Sequence, residues 1–201
     1  MVELKKKDGV YYLYDYTPTR KFRYASEEQI ELSKAIWDYK NAEDDAYTEF
    51  TNDLMWAVSE LCKKISRQNV GLVAVPSSTV GKVNTVVYSI RSMKEWYDEG
   101  IAQSHFDCDK KIYDYSTLLE RIESLPPAAL ATPGAKPTVQ DHIDTIRANH
   151  KSPLWKYRTT FILIDDVTTT GTIMCACKQI LLDHGANEDD IICLALARTR
   201  K

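Results

Sequence analysis

Glycine and proline are scarce in this sequence, with seven of each among 201 residues, roughly 7% together against a usual figure near 12%. That scarcity excludes collagen-like, linker and low-complexity chains. Long hydrophobic runs are also missing. None approaches the roughly 18 residues that a membrane span needs. No apolar stretch follows Lys5, Lys6 and Lys7 in the manner of a signal peptide. The expectation is a soluble, cytoplasmic protein with no membrane partner. Neither sign of charge dominates: 26 basic and 29 acidic side chains give a net charge of −3. This excludes a global basic field for nucleic acid and the acidic excess of a disordered chain. A local basic patch stays open. No CxxC pair occurs among Cys62, Cys108, Cys175, Cys177 and Cys193, so neither a disulfide framework nor a structural zinc site is indicated. They read as small buried hydrophobes.

What is present fits one α/β domain with an N-terminal addition. Apolar residues make up 44% of the chain, enough for a sizeable core. Residues 1–68 read as a hairpin and helical extension packed on the core. Lys7-Asp8-Gly9 is a turn signal, and Val10 to Tyr16 is rich in strand formers. Ser26 with Gln29 resembles a capping box, and apolar residues from Tyr47 to Ile65 recur at helical spacing. Residues 69–201 read as the main domain. Val70 to Val75 suits a buried strand, followed by a small-polar turn and a helix from about Val80 to Tyr97. Residues 105–157 read as a hood or insert. Ser104 to Phe106 suggests a short strand, Thr117 to Glu123 a helix, and Thr138 to His150 a helix capped by Thr138. Pro126, Pro127, Pro133 and Pro137 fall with Gly134 in one loop. Strand, helix and strand then follow at Thr160–Ile164, Gly171–His184 and Ile191–Ala197. Such alternation predicts a doubly wound, mainly parallel sheet covered by helices.

The informative stretch is Phe161-Ile162-Leu163-Ile164-Asp165-Asp166-Val167-Thr168-Thr169-Thr170-Gly171-Thr172. Four apolar residues predict a buried strand. Two acids follow at its carboxyl end, where open α/β sheets bind ligands. Four threonines and a glycine then lead into a helix, whose first N–H groups and dipole attract an anion. Together they suggest a cradle for a 5-phosphate, with two carboxylates as acceptors for neighbouring ribose hydroxyls. The ordinary alternative is an Asp-rich turn before a threonine-capped helix.

This stretch resembles the phosphoribosyl pyrophosphate motif of the type I phosphoribosyltransferases. Val73-Ala74-Val75-Pro76-Ser77-Ser78 with Gly81-Lys82-Val83-Asn84 resembles the first core strand and pyrophosphate loop of the ComF-like branch. Gln140, Arg147 and Asn149, and the closing Leu194 to Thr199, resemble other segments of that branch. Two positions depart from the family pattern. Thr168 stands where an aliphatic residue is usual, and Ile173 where a hydroxyl residue is usual. The zinc-type cysteine pairs that many ComF-like proteins carry near the N-terminus are missing, so the chain would be a divergent member.

The resemblance implies a type I phosphoribosyltransferase-like core and transfer of a phosphoribosyl group to a nitrogen acceptor such as a nucleobase. Asp165 and Asp166 would act on the ribose, directly or through water on a magnesium ion. Thr168, Thr169, Thr170, Gly171 and Thr172 would hold the 5-phosphate, and Ser77, Ser78 and Lys82 the pyrophosphate. The alternatives are plain turn residues for the serines and a solvated side chain for Lys82. Arg147 is a candidate charge on the hood, against the alternative of a solvated arginine. The four tryptophans read as core or interface residues. The implied partners are phosphoribosyl pyrophosphate or a nucleotide, and a second copy of the chain. A competing expectation is a non-catalytic sensor or accessory protein in DNA uptake, with single-stranded DNA or a DNA-processing partner. A third is a doubly wound domain without such a ligand.

Overall fold

A computed structural model describes residues 2–82, 84–100, 109–126, 136–149 and 158–200. The chain opens with a hairpin of β1 (Lys5–Lys7) and β2 (Val10–Tyr16). Asp8 and Gly9 form its two-residue turn with φ of 49° and 78°, the backbone that matches the twist of paired strands. Helix α1 (Glu27–Lys40) starts at the capping box that Ser26 and Gln29 complete. Helix α2 (Asp44–Cys62) follows, then β3 (Asn69–Ala74), α3 (Thr85–Asp98) and β4 (Lys111–Asp114). A small unit comes next: β5 (Leu119–Arg121), α4 (Val139–Thr145) and β6 (Ile146–Ala148). The last elements are β7 (Thr159–Thr168), α5 (Thr172–Asp183) and β8 (Ile191–Thr199).

Six strands form one mixed, mostly parallel sheet in the order β1-β2-β8-β7-β3-β4. Only β1 runs antiparallel to its neighbour. The architecture is α/β, compatible with a Rossmann-like arrangement. Central strand β7 alternates between two cores. Ile162 and Ile164 join an apolar cluster with residues of α1, α2 and α3. Phe161 and Leu163 join another with Met174, Cys177, Ile180 and Leu181 of α5. Each such fully buried side chain contributes about 2 kcal/mol. The hairpin is no separate appendage, because β2 pairs along β8 from Val10↔Cys193 to Tyr16↔Thr199. Arg198 fastens that edge: its Nη1 donates to the Lys7 carbonyl at 2.6 Å and its Nη2 pairs with Asp8.

Several boundaries differ from the sequence expectations. Helix α3 begins at Thr85 rather than near Val80, because Asn84 caps it by accepting from the Val86 N–H. Residues 119–121 form a strand rather than part of a helix. Leu119 and Arg121 point inward and Glu120 outward, and β5 pairs antiparallel with β6. The same pairing ends α4 at Thr145, although Thr138 caps it as expected and completes a box with Asp141. Cys175 is exposed while Cys177 is buried, as opposite helix faces require. Of the two expectations for the tryptophans, core or interface, Trp37 does not meet the first, being exposed. The expected strand at 104–106 lies outside the described residues, as do Cys108, Trp155, His105, His150 and most of the proline loop.

Gly71 of β3, paired with β4 on one side and β7 on the other, shows how tightly the sheet is packed. A Cβ there would lie 2.8 Å from Cε2 of Tyr115 and 3.3 Å from Cδ1 of Phe161. The Tyr115 ring is itself stacked on Tyr113 at 5.8 Å. Gly71→Ala is expected to destabilise the protein by about 1–3 kcal/mol in urea unfolding. A neutral effect would contradict this packing.

Candidate functional site

The ladder between β3 and β7 ends at Ala74↔Ile164. Strand β7 continues through Thr168, paired with β8 alone from Asp165↔Ala195 to Thr168↔Arg198. A notch therefore opens at the carboxyl edge of the sheet. Asp165 and Asp166 stand on one side of it, still within the strand rather than beyond its end. The loop after β3, residues 75–82, forms the other side. The strand stagger thus brings the two sequence-predicted segments to one edge.

The acids carry most of the local charge. Asp165 is partly open to solvent, yet burial raises its carboxyl well above the usual range. The neighbouring Asp166 charge adds to this, and Lys40 opposes it. Lys40, the last residue of α1, places Nζ 2.7 Å from Oδ2 of Asp166. Burial alone would lower its ammonium; the charge and hydrogen bond of Asp166 outweigh this and raise it. Lys40 was not expected from the sequence, because a lysine ending an amphipathic helix looks like any dipole-complementing cation.

The threonine turn leads directly into α5. Gly171 takes φ 77° at the N-cap of α5, a backbone that L side chains rarely adopt. Thr169 and Thr170 are exposed. The hydroxyls of Thr170 and Thr172 lie 2.6 Å apart, and those of Thr169 and Thr199 3.2 Å apart. Thr168 differs from its neighbours. It is 3% exposed, and among the described residues its Oγ1 finds no hydrogen-bond partner. A Cβ on Gly171 would lie 4.0 Å from that hydroxyl. Ile173 packs against the apolar cluster around α5, so position 173 supplies packing rather than a hydroxyl.

The opposite loop is clamped by the small β5–β6 unit. Arg121 Nε donates to the Ser77 carbonyl at 2.9 Å, Leu125 N–H to the Ser78 carbonyl at 2.8 Å, and Val80 N–H to Ser124 Oγ at 2.9 Å. Ser77 Oγ accepts from Thr79 N–H at 3.3 Å. Asn84 closes the loop by donating to the Val75 carbonyl at 2.9 Å. Lys82 is exposed. The guanidinium that reaches the loop is that of Arg121 on β5, whereas Arg147 is exposed on β6 and pairs with Glu120 at 3.2 Å. Arg121 is 6% exposed and meets no carboxylate among the described residues. Its other contacts are Thr145 Oγ1 at 2.5 Å and His142 Nδ1 at 3.2 Å. Burial, then the Arg121 charge, lowers the His142 pKa, so the ring is neutral at pH 7 and accepts from Arg121.

Magnesium would reach this site through ligand or water oxygens. Of the two acids, Asp166 is already engaged by an ammonium. The described residues contain no group of three or more His, Cys, Asp or Glu side chains arranged around a metal. No helix among them is long and apolar enough to cross a membrane. No protein-family model matches the chain, and no curated protein matches it.

Two outcomes follow from this geometry. An unpaired buried hydroxyl costs about 1–3 kcal/mol, so Thr168→Val should stabilise the unliganded protein by about 1 kcal/mol in chemical denaturation; a loss would show that Oγ1 has a partner. Asp165 binds its proton more tightly folded than unfolded. Its contribution is therefore fully present below the unfolded value of about 4 and is lost as pH rises through the raised folded value. Asp165→Asn should gain on the wild type steadily over that window in melting curves, and a constant difference would contradict the raised carboxyl.

Proposed function

We propose that this protein binds phosphoribosyl pyrophosphate, or the 5-phosphate and ribose of a nucleotide, in the notch between residues 75–82 and 165–172. The observation that carries this reading is the placement of two acids and a threonine–glycine helix N-terminus on one strand end, facing a clamped loop. No ordinary turn needs both. Asp165 and Asp166 accept from the ribose hydroxyls. Thr169, Thr170, Gly171 and Thr172 hold the 5-phosphate by hydroxyls and backbone N–H groups. Thr168 supports that loop from beneath, its side chain being buried. Ser77, Ser78 and Lys82 lie where the diphosphate extends.

The reaction class that suits this arrangement is phosphoribosyl transfer. A nitrogen lone pair of the acceptor forms the bond to carbon 1 as the bond from carbon 1 to the diphosphate oxygen breaks. Positive charge develops on the sugar ring and negative charge on the leaving group. Magnesium, when bound, supplies charge neutralisation on the diphosphate. The chain's own residues fix the ribose and the phosphate, so that the acceptor meets carbon 1 in one orientation. The carboxylates also lie near the developing positive charge, which they stabilise.

A second reading is a phosphoribosyl sensor without turnover. Ile173 in place of a hydroxyl favours it, since a side chain packed into the α5 cluster offers the phosphate no donor.

A thermal shift with phosphoribosyl pyrophosphate and magnesium tests binding. Stabilisation of about 2.7 kcal/mol is expected at a hundred times the dissociation constant. The double variant Asp165→Asn/Asp166→Asn should lose most of it. Equal shifts in both proteins, or none in either, would overturn the site. Pyrophosphate release with a panel of nucleobases separates the readings: product supports transfer, and binding without product supports the sensor.

A further inference from the structure

Lys40 belongs to the N-terminal helices, yet it reaches the acid pair of the central strand. Its backbone is fixed at that point. The Lys40 carbonyl accepts from Thr85 Oγ1 at 3.2 Å, tying the end of α1 to the start of α3. The preceding Tyr39 is fully buried, and its hydroxyl lies 2.9 Å from Ser89 Oγ. Ser89 in turn lies 2.8 Å from Thr51 Oγ1 of α2. Three helices thus hold the base of one lysine side chain. From there Nζ meets Oδ2 of Asp166 at 2.7 Å, with the two side chains 36% and 20% exposed. Among the described residues this is the one ion pair that either acid makes. A solvated lysine finding a carboxylate by chance needs no such anchoring.

We propose that Lys40 is the resident cation of the acid pair, standing where a divalent ion on Asp165 and Asp166 would otherwise sit. Two adjacent carboxylates repel each other, and a cation at contact distance relieves that repulsion. A tethered ammonium does so without metal, and its N–H donors orient Asp166 toward a diol. Lys40 is a positioning residue: it acts through Asp166. This makes the N-terminal helices part of the site. The assignment stands on the contact geometry; only its ligand arm rests on the phosphoribosyl reading.

Manganese binding, followed by electron paramagnetic resonance on the full chain, tests the assignment without any organic ligand. Lys40→Met and Lys40→Gln should each bind Mn²⁺ at least about tenfold more tightly than the wild type. Adding Asp166→Asn should abolish the gain. Equal affinity in wild type and both variants overturns the proposal. Phosphoribosyl pyrophosphate titrations with EDTA or magnesium give the second readout. The wild type should lose less than about threefold in affinity with EDTA, Lys40→Met about tenfold or more, and Lys40→Arg should behave like the wild type. Tighter ligand binding by Lys40→Met in EDTA would mark Lys40 as an obstacle and overturn the positioning role. If neither protein binds the ligand in either buffer, the phosphoribosyl reading fails, and the manganese comparison still decides the role of Lys40.

Discussion

Strand β7 outruns its neighbour. On one side it stays paired with β8 through Thr168; on the other its partner β3 stops at Ala74, opposite Ile164. That unequal pairing creates the notch, because backbone that would have been covered by another strand is left for side chains and ligand. The apolar half of β7 makes the stagger possible. Phe161 to Ile164 lock the strand between two cores, so the polar half is held without a second neighbour. The acids are thus fixed by a strand rather than carried on a loop, and the threonine turn that follows enters α5 at a set angle. A rigid support of this kind is what positioning chemistry requires.

Charge balance is the second constraint. Two adjacent carboxylates in a partly enclosed notch disfavour each other, and burial raises Asp165 further. A fold that kept them for no purpose would carry that cost without return, which is why perturbed groups of this kind point to function. Lys40 offsets part of it from a helix far away in sequence. On the opposite wall Arg121 presents the converse situation, a buried guanidinium joined to a carbonyl, a hydroxyl and a neutral imidazole rather than to an acid. It holds the loop after β3 at Ser77 and adds positive charge behind it. The notch therefore sets carboxylates against a positively backed loop, the polarity that a diol joined to phosphate groups requires.

Much of this was legible in the sequence, and the unread parts share a cause. Local signals identified the Asp-Gly hairpin, the Ser26 and Thr138 caps and the β7 run, because each depends on residues within a few positions. The acids and the threonine–glycine turn were legible for the same reason. Residues 117–123 misled because three residues of strand leave no period to read, and β5 exists only through its pairing with 146–148. Helix α3 was started too early because the Asn84 cap competes with Val80, an apolar residue that turned out exposed. Lys40 and Arg121 were missed because their roles depend on partners more than twenty residues away. Long-range contacts of single charged side chains leave no local pattern.

The central claim is that residues 165–172 and the facing loop form one ligand site. Backbone amide hydrogen exchange, measured with and without phosphoribosyl pyrophosphate and magnesium, tests this most directly. Slower exchange is expected in two separate segments, 169–174 and 76–82, with β1 and β2 unchanged. Unchanged exchange in both segments at saturating ligand would contradict the account.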